Sequence, residues 1–401
     1  MDTATKELAP IEMIGVQTRL NDEEEQALLR VLREANTLTT GKEGEAFEKE
    51  FTEFIGCADA VALSSCSSAL ELAAVFSELG AGDEVIIPAH TFVSSAVPFG
   101  KTGAMIKWAD IDRDTRLVSA ETIRPLLSER TKAIVVVHLY GLAADMEPIM
   151  AIAREHDLCV IEDCAQAPGA RCGGRRVGSF GHFGCFSFHS HKNMTTLGEG
   201  GMLTVRDAAH GRAARRMRWM GNWSIEQDRE KYWQPAMGNI VEPIPGCWPA
   251  NYCLGEPNAA VGRLLLRRLD AINDQRKQQA ERFKEAFSTF PEVSFQTIPA
   301  GCEHVFHLMP IRYDGGPYGK TRDDLIDLLY RQYKIKCVSH YWPLNRTELF
   351  HKFGFGEANV PETDRYYENQ LGFPWWSDMP PELLDDMAGR AVAALEQLRV
   401  G

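Results

Sequence analysis

Between residues 57 and 206, short apolar runs alternate with helical stretches. Seven runs read as strands: 58–63, 84–88, 104–110, 133–138, 159–163, 185–188 and 202–205. Val, Ile, Phe and Cys fill them with little polar alternation, the pattern of strands covered on both faces. Helix patterns lie between several of them. Residues 68–79 carry Leu70, Leu72, Ala73, Phe76 and Leu79, and residues 146–156 carry Ile149, Met150, Ile152 and Ala153. Alternation of this kind predicts an α/β domain built on a mainly parallel, seven-stranded sheet. Ligands of such sheets sit at the carboxyl ends of strands, so the residues just past each strand are the candidates for chemistry.

The flanks add helices. Residues 22–35 read as an amphipathic helix capped by Asn21, and 43–56 as a second helix ended by Gly56. Residues 207–250 read as irregular, 256–290 as one long helix, and 291–401 as a smaller α+β region. In that region, 304–313 and 335–339 read as strands, and 322–333 and 381–398 as helices. The expected division is a large domain over 1–255 and a long helix with a small C-terminal domain over 256–401. A length of 401 residues fits two to three domains at ~150 residues each.

Composition narrows the function. Hydrophobic residues make up 44% and charged residues 25%, the balance of soluble globular chains. Apolar runs such as 133–137 fall far short of the ~18 residues of a membrane helix. The first residues lack the basic start and apolar stretch of a secretory signal, so a cytoplasmic location is expected. The formal charge is 43 − 56 = −13, with no basic tract, which argues against nucleic acid and membrane surfaces as partners. The ten cysteines show no CxxC pair and no zinc-finger spacing, and are expected to be reduced, structural thiols.

Three strand ends carry candidate chemistry. The run 58–63 leads into Ser64-Ser65-Cys66-Ser67-Ser68 and then a helix. Free backbone N–H groups and hydroxyls at such a turn suit a phosphate, although a plain serine N-cap looks the same. The run 159–163 ends in Glu162-Asp163, with Gln166 three residues beyond Asp163. A carboxylate there is either structural or faces a ligand cation such as a protonated pyridine nitrogen. The run 185–188 leads into His189-Ser190-His191-Lys192-Asn193 and on to Gly198-Glu199-Gly200-Gly201. A lysine held in a closed site can form an imine, especially if burial lowers its pKa; the alternative is a surface-loop lysine. His189 and His191 lack an acidic third ligand in a recognisable pattern, so no metal is expected. Phosphate turn, acid and lysine together are what pyridoxal phosphate requires.

The same stretches resemble the DegT/DnrJ/EryC1/StrS sugar aminotransferases, within the fold-type I pyridoxal-phosphate enzymes. The similarity rests on TGKEGEAFEKEFTEFIG (40–56), IIPAHTF (86–92), TKAIVVVHLYGLAADME (131–147), VIEDCAQAPGA (160–170), GCFSFHSHKNMTTLGEGG (184–201) and SHYWPL (339–344). It covers the chain from about 12 to 398. It implies that Lys192 forms the Schiff base and moves protons, and that Asp163 pairs with the pyridine nitrogen. It also implies that Phe92 stacks on the ring and Gln166 bonds near the ring oxygen. Cys66, Ser67 and Ser187 would hold the phosphate, and Asn251 would reach the phosphate of a partner subunit in a homodimer. L-Glutamate would donate the amine. The acceptor would be a keto or aldehyde sugar, either nucleotide-linked or an oxidised 3-deoxy-octulosonate; Thr195-Thr196-Leu197-Gly198 is similar to the loop of enzymes that aminate the latter. Three departures stand out: Cys66-Ser67 replaces the family's Gly-Thr, Cys253 replaces the arginine of Asn-Tyr-Arg, and Asn345 replaces a histidine. The last two point to an unusual acceptor sugar. A sugar dehydratase of the same family would have histidine in place of Lys192. A lyase would need a mobile nucleophile such as Cys337, and a non-catalytic regulator would have little reason to keep Lys192, Asp163 and Gln166 together.

Overall fold

Each of the seven expected runs is a strand of one sheet in the computed structural model, which describes residues 8–222 and 240–400. In chain order they are β1 (Asp59–Leu63), β2 (Glu84–Pro88), β3 (Met105–Ala109), β4 (Thr131–Val137), β5 (Cys159–Asp163), β8 (Phe183–Ser187) and β9 (Gly201–Val205). A hairpin of β6 (Arg171–Cys172) and β7 (Arg175–Arg176) sits between β5 and β8. The sheet order is β1-β9-β8-β5-β4-β2-β3. Only β9 pairs antiparallel with its neighbours. The carboxyl ends of β1, β2, β4, β5 and β8 therefore share one edge, where the amino end of β9 joins them. The strands are apolar because both faces are covered, and β2, β8 and β9 are buried at every residue.

Local signals account for the flanking helices. Asn21 caps the helix Asp22–Glu34 by accepting from the Glu24 N–H at 3.0 Å, while the Glu24 carboxylate accepts from the Asn21 N–H at 2.8 Å. Gly56 ends the helix Lys42–Ile55 at φ 78°, a backbone conformation that glycine adopts without strain. Behind the large sheet sits one apolar core, and a second gathers Phe283, Phe287, Phe373 and Trp375. The second core is covered by a sheet of β10 (Val293–Ser294), β11 (Met309–Tyr313) and β12 (Gln370–Phe373) and by the helix Pro381–Val400. Among the described residues, no helix is long and apolar enough to cross a membrane.

The structure differs from expectation in several places, and the strand expected over 304–313 forms only over Met309–Tyr313. The stretch 207–250 contains the helix Ala208–Met217, which the sequence hides because its buried face is made mostly of small residues, Gly211 and Ala214, beside Met217; residues 223–239 of that stretch lie outside the described residues. The long helical pattern is broken at Arg268 (φ −107°, ψ 8°) into Glu256–Arg267 and Leu269–Glu285. The segment 335–339 forms no strand; Ile335 and Val338 make single bridges to Ile11 and Gly372. Cys172 and Cys302 form a disulfide, where free thiols were expected. These two lie 130 residues apart and meet because their backbones bridge, which no local spacing reveals.

Glu162 shows how the sheet fixes the turns at its edge. It is wholly buried, and its carboxylate accepts backbone N–H bonds from Gly178 (2.8 Å), Phe180 (2.8 Å) and Gly181 (2.7 Å). His138 Nδ1 accepts from the Ala144 N–H, which leaves Nε2–H to donate to Glu162 at 3.1 Å. Removing the carboxylate strands these buried donors, at about 1–3 kcal/mol each. Glu162→Ala is thus expected to lose about 3 kcal/mol or more in urea unfolding. A loss below about 1 kcal/mol would show that water or a rearranged loop replaces the carboxylate.

Candidate active site

Glu162 and Asp163 are adjacent, and side chains alternate along a strand. Glu162 therefore points into the packed interior and Asp163 into a cavity of about 650 Å³ at the strand ends. Asp163 is 5% exposed. Its Oδ2 accepts from Ser95 Oγ at 2.7 Å and its Oδ1 from the Ala165 N–H at 3.0 Å. Because Ser95 donates to the carboxylate, it accepts in turn from Thr91 Oγ1 at 2.9 Å.

Lys192 lines the same cavity. Its loop is a tight hairpin, closed by Ser190 N–H to Gly198 O and Thr196 N–H to Phe188 O, with Gly198 at φ 116°. Burial pushes the Lys192 amine below its ordinary value, while the Asp163 carboxylate pulls it back up. An amine in that balance reaches the uncharged, nucleophilic form more readily than a surface lysine.

The opposite wall is the turn from β1 into the helix Cys66–Phe76. Ser65 caps this helix by accepting from the Ser68 N–H at 3.0 Å. Ser67 Oγ meets Ser94 Oγ at 3.0 Å, and both residues line the cavity. Burial drives the Cys66 thiol well up, so it stands there as a neutral thiol. Gly201, at the start of β9, abuts this turn; a Cβ on it would lie 2.6 Å from the Cys66 nitrogen. Only glycine allows that approach. Ser187, at the end of β8, also lines the cavity, and its Oγ accepts from the His189 N–H at 3.4 Å.

Gln166 is fixed at both ends. Its Oε1 accepts from the Tyr140 N–H at 2.8 Å and its Nε2 donates to Tyr341 Oη at 3.1 Å. Phe92 stands at the cavity mouth, 52% exposed. Of the sequence candidates, Lys192, Asp163, Cys66, Ser67, Phe92, Gln166 and Ser187 come together here. Asn251 does not. It is exposed, outside the lining, and bridges to Trp219.

Several site residues carried no readable signal. Ser95 is one, because a serine in a short 3₁₀ turn says nothing about a carboxylate 68 positions away. His307, His340 and Tyr341 line the cavity from the C-terminal half. Tyr341 stacks on Tyr140 with ring centroids 6.3 Å apart at 8°. Arg276 sits in a charge-rich helix that reads as surface, yet it is fully buried. It donates to Phe306 O (2.9 Å), His307 O (2.7 Å), Ser377 Oγ (2.8 Å) and Gln17 Oε1 (3.3 Å), pinning two lining residues, Gln17 and His307.

Buried imidazoles near the site make stability depend on acid. Desolvation pulls His90 down to about 3 and holds His304 and His307 well below their ordinary value. His304 Nδ1 accepts the Phe306 N–H and its Nε2–H donates to Gln296 Oε1, so a second proton finds no acceptor. In the unfolded chain these groups titrate near ~6.5. Below that pH the unfolded state binds protons that the folded state refuses, so stability falls with pH. The three groups together predict a loss of about 4 kcal/mol between about pH 7 and 5.5. Equal unfolding free energies at the two pH values would contradict this.

The donor set fits pyridoxal phosphate: a buried carboxylate for a ring nitrogen, an amine eased toward neutrality, and a hydroxyl- and amide-rich turn that glycine keeps open. The sheet order and the strand-end cavity define an α/β aminotransferase fold. A model of the DegT/DnrJ/EryC1/StrS aminotransferase family matches residues 19–391. The chain is 33% identical over 382 residues to the spore coat polysaccharide biosynthesis protein SpsC of Bacillus subtilis (strain 168), covering 92% of this chain and 93% of that one. It is 33% identical over 379 residues to the UDP-N-acetyl-3-dehydro-alpha-D-glucosamine 3-aminotransferase of Acidithiobacillus ferrooxidans, covering 94% of each. The solved structure of an aminotransferase from Psychrobacter cryohalolentis superposes with a TM-score of 0.87 at 28% identity, over 98% of this chain and 99% of that one. The chain belongs to the DegT/DnrJ/EryC1/StrS aminotransferase family, and it is a sugar aminotransferase.

Proposed function

We propose that the protein moves the amino group of L-glutamate to a nucleotide-linked keto sugar, with pyridoxal phosphate as cofactor. The observation that carries this reading is the meeting of Lys192 and the buried, Ser95-bound Asp163 in one cavity. When bound, the cofactor supplies an electron sink for the carbon that bears the amine. Asp163 holds the ring nitrogen protonated, because a carboxylate favours a neighbouring cation. Ser95 and the Ala165 N–H orient that carboxylate. Lys192 anchors the cofactor and then, as a free amine, carries a proton to and from the reacting carbon. Cys66, Ser67 and Ser187 hold the phosphate at the start of the helix Cys66–Phe76, where the dipole favours an anion. Phe92 would stack on the ring, and Gln166, held by the Tyr140 N–H and Tyr341 Oη, would bond near the ring oxygen.

The nucleotide-linked acceptor is supported by the name of the Acidithiobacillus relative. A homodimer is supported by the exposed surface that carries Asn251, Met220, Ile240 and Trp248, the last 93% exposed. Asn251 would serve the partner's phosphate there. The chain is proposed to divide into a large domain over 1–255 and a smaller one over 256–401, working in the cytoplasm. The test is a two-stage assay. Protein loaded with pyridoxal phosphate should release 2-oxoglutarate from L-glutamate in a single turnover. It should then aminate a UDP-linked 3-keto sugar rather than an oxidised octulosonate. Turnover with the octulosonate alone would reassign the acceptor, and no 2-oxoglutarate would remove the donor.

A further inference from the structure

A second cleft, of about 240 Å³, opens between the loop after β3 and the β10–β11 edge of the C-terminal sheet. Arg113, Arg116 and Arg312 line it together with Ser294 and Phe295. Arg116 is only 4% exposed. Its partners are the Arg113 carbonyl, Ser294 Oγ at 3.3 Å and the ring of Tyr366, 5.1 Å below the guanidinium. Among the described residues, neither Arg116 nor Arg113 has a carboxylate at ion-pair distance. Arg312 has one long contact, to Asp314 at 3.7 Å. Asp114 also lines the cleft, so three cations stand against one lining acid in a chain whose formal charge is −13. Asp112 and Asp114 favour the Arg116 charge from a distance but neither pairs with it, so the buried guanidinium is under-compensated and an anion would complete it.

The cleft is built rather than incidental. Asp112 Oδ1 accepts from Asp114 N (3.0 Å), Thr115 N (2.8 Å) and Thr115 Oγ1 (2.9 Å), fixing the loop. Thr297 N donates to Asp114 O at 2.9 Å and Gln296 Nε2 to Thr115 O at 2.8 Å, joining the loop to the segment after β10. Arg116 itself is held at φ 61°, a left-handed conformation that a non-glycine residue keeps only where its surroundings impose it. We infer that this cleft is a binding site for a phosphate-type oxyanion, either free phosphate or the phosphate group of an ester. Guanidinium forks match such oxygens two at a time.

The test is calorimetry on protein saturated with pyridoxal phosphate, at constant ionic strength held with chloride. Inorganic phosphate and glucose 1-phosphate are the two probes. The expected result is saturable binding of at least one probe at one site per chain. The Arg113→Gln/Arg312→Gln double variant should weaken it by about tenfold or more, since both guanidiniums give charge-assisted bonds to the anion. Both replaced side chains are partly exposed, so the fold survives their loss. Tighter binding of free phosphate assigns the site to the inorganic ion, and tighter binding of the sugar phosphate assigns it to an ester. No saturable binding of either probe, or equal binding in the double variant, overturns the inference.

Discussion

Lys192→Ala is expected to leave a folded protein that shows no visible absorption band with pyridoxal phosphate and that loses transamination by at least about 10³-fold. The loop argues for an intact fold. Its closure runs through backbone bonds of Ser190, Gly198, Thr196 and Phe188, and none uses the lysine side chain. The amine lines the same cavity as Asp163, and burial already lowers its hold on a proton. Loss of the band with unchanged thermal stability would assign the covalent role to Lys192. A retained band would place the attachment elsewhere, and a histidine-based dehydratase would need reconsideration, because His191 borders the same cavity.

Asp163→Ala is expected to separate attachment from turnover. The visible band should persist, because Lys192 is untouched, while transamination falls by about 10³-fold. A carboxylate about 4 Å from a protonated ring nitrogen is worth about 4 kcal/mol at an effective dielectric of about 20. That is the interaction the substitution removes. Ser95→Ala should cost less, since Ser95 acts through Asp163 and the Ala165 N–H still orients the carboxylate. The Ser95 effect should also vanish when Asp163 is already alanine, because coupled residues are not additive. Near-normal turnover in Asp163→Ala would show that this carboxylate does not govern the ring nitrogen.

Strands were the most legible part of the chain. Burial on both faces makes β2, β4 and β8 almost purely apolar, and only a covered parallel sheet asks for that. The reactive side chains were legible for the same reason: Asp163 is a polar residue ending one such run, and Lys192 lies just past another. What stayed hidden was set by contacts distant in sequence. Ser95 matters because it meets Asp163, and Arg276 because three distant chain segments fold around it. Helical periodicity runs unbroken through Arg268, so the kink there left no trace. The Cys172–Cys302 pairing depends on two bridging backbones 130 positions apart. Asn251 was readable only through resemblance, because an exposed asparagine outside the cavity carries no local signal.

The central claim is that this cavity accepts an amine from L-glutamate through a lysine-held cofactor. Its most direct test is the absorbance spectrum of the protein loaded with pyridoxal phosphate, recorded before and after L-glutamate is added without an acceptor. The account predicts a visible band that bleaches in step with one equivalent of 2-oxoglutarate and returns when 2-oxoglutarate is supplied in excess. A band that L-glutamate leaves unchanged, or no band at all, would contradict it.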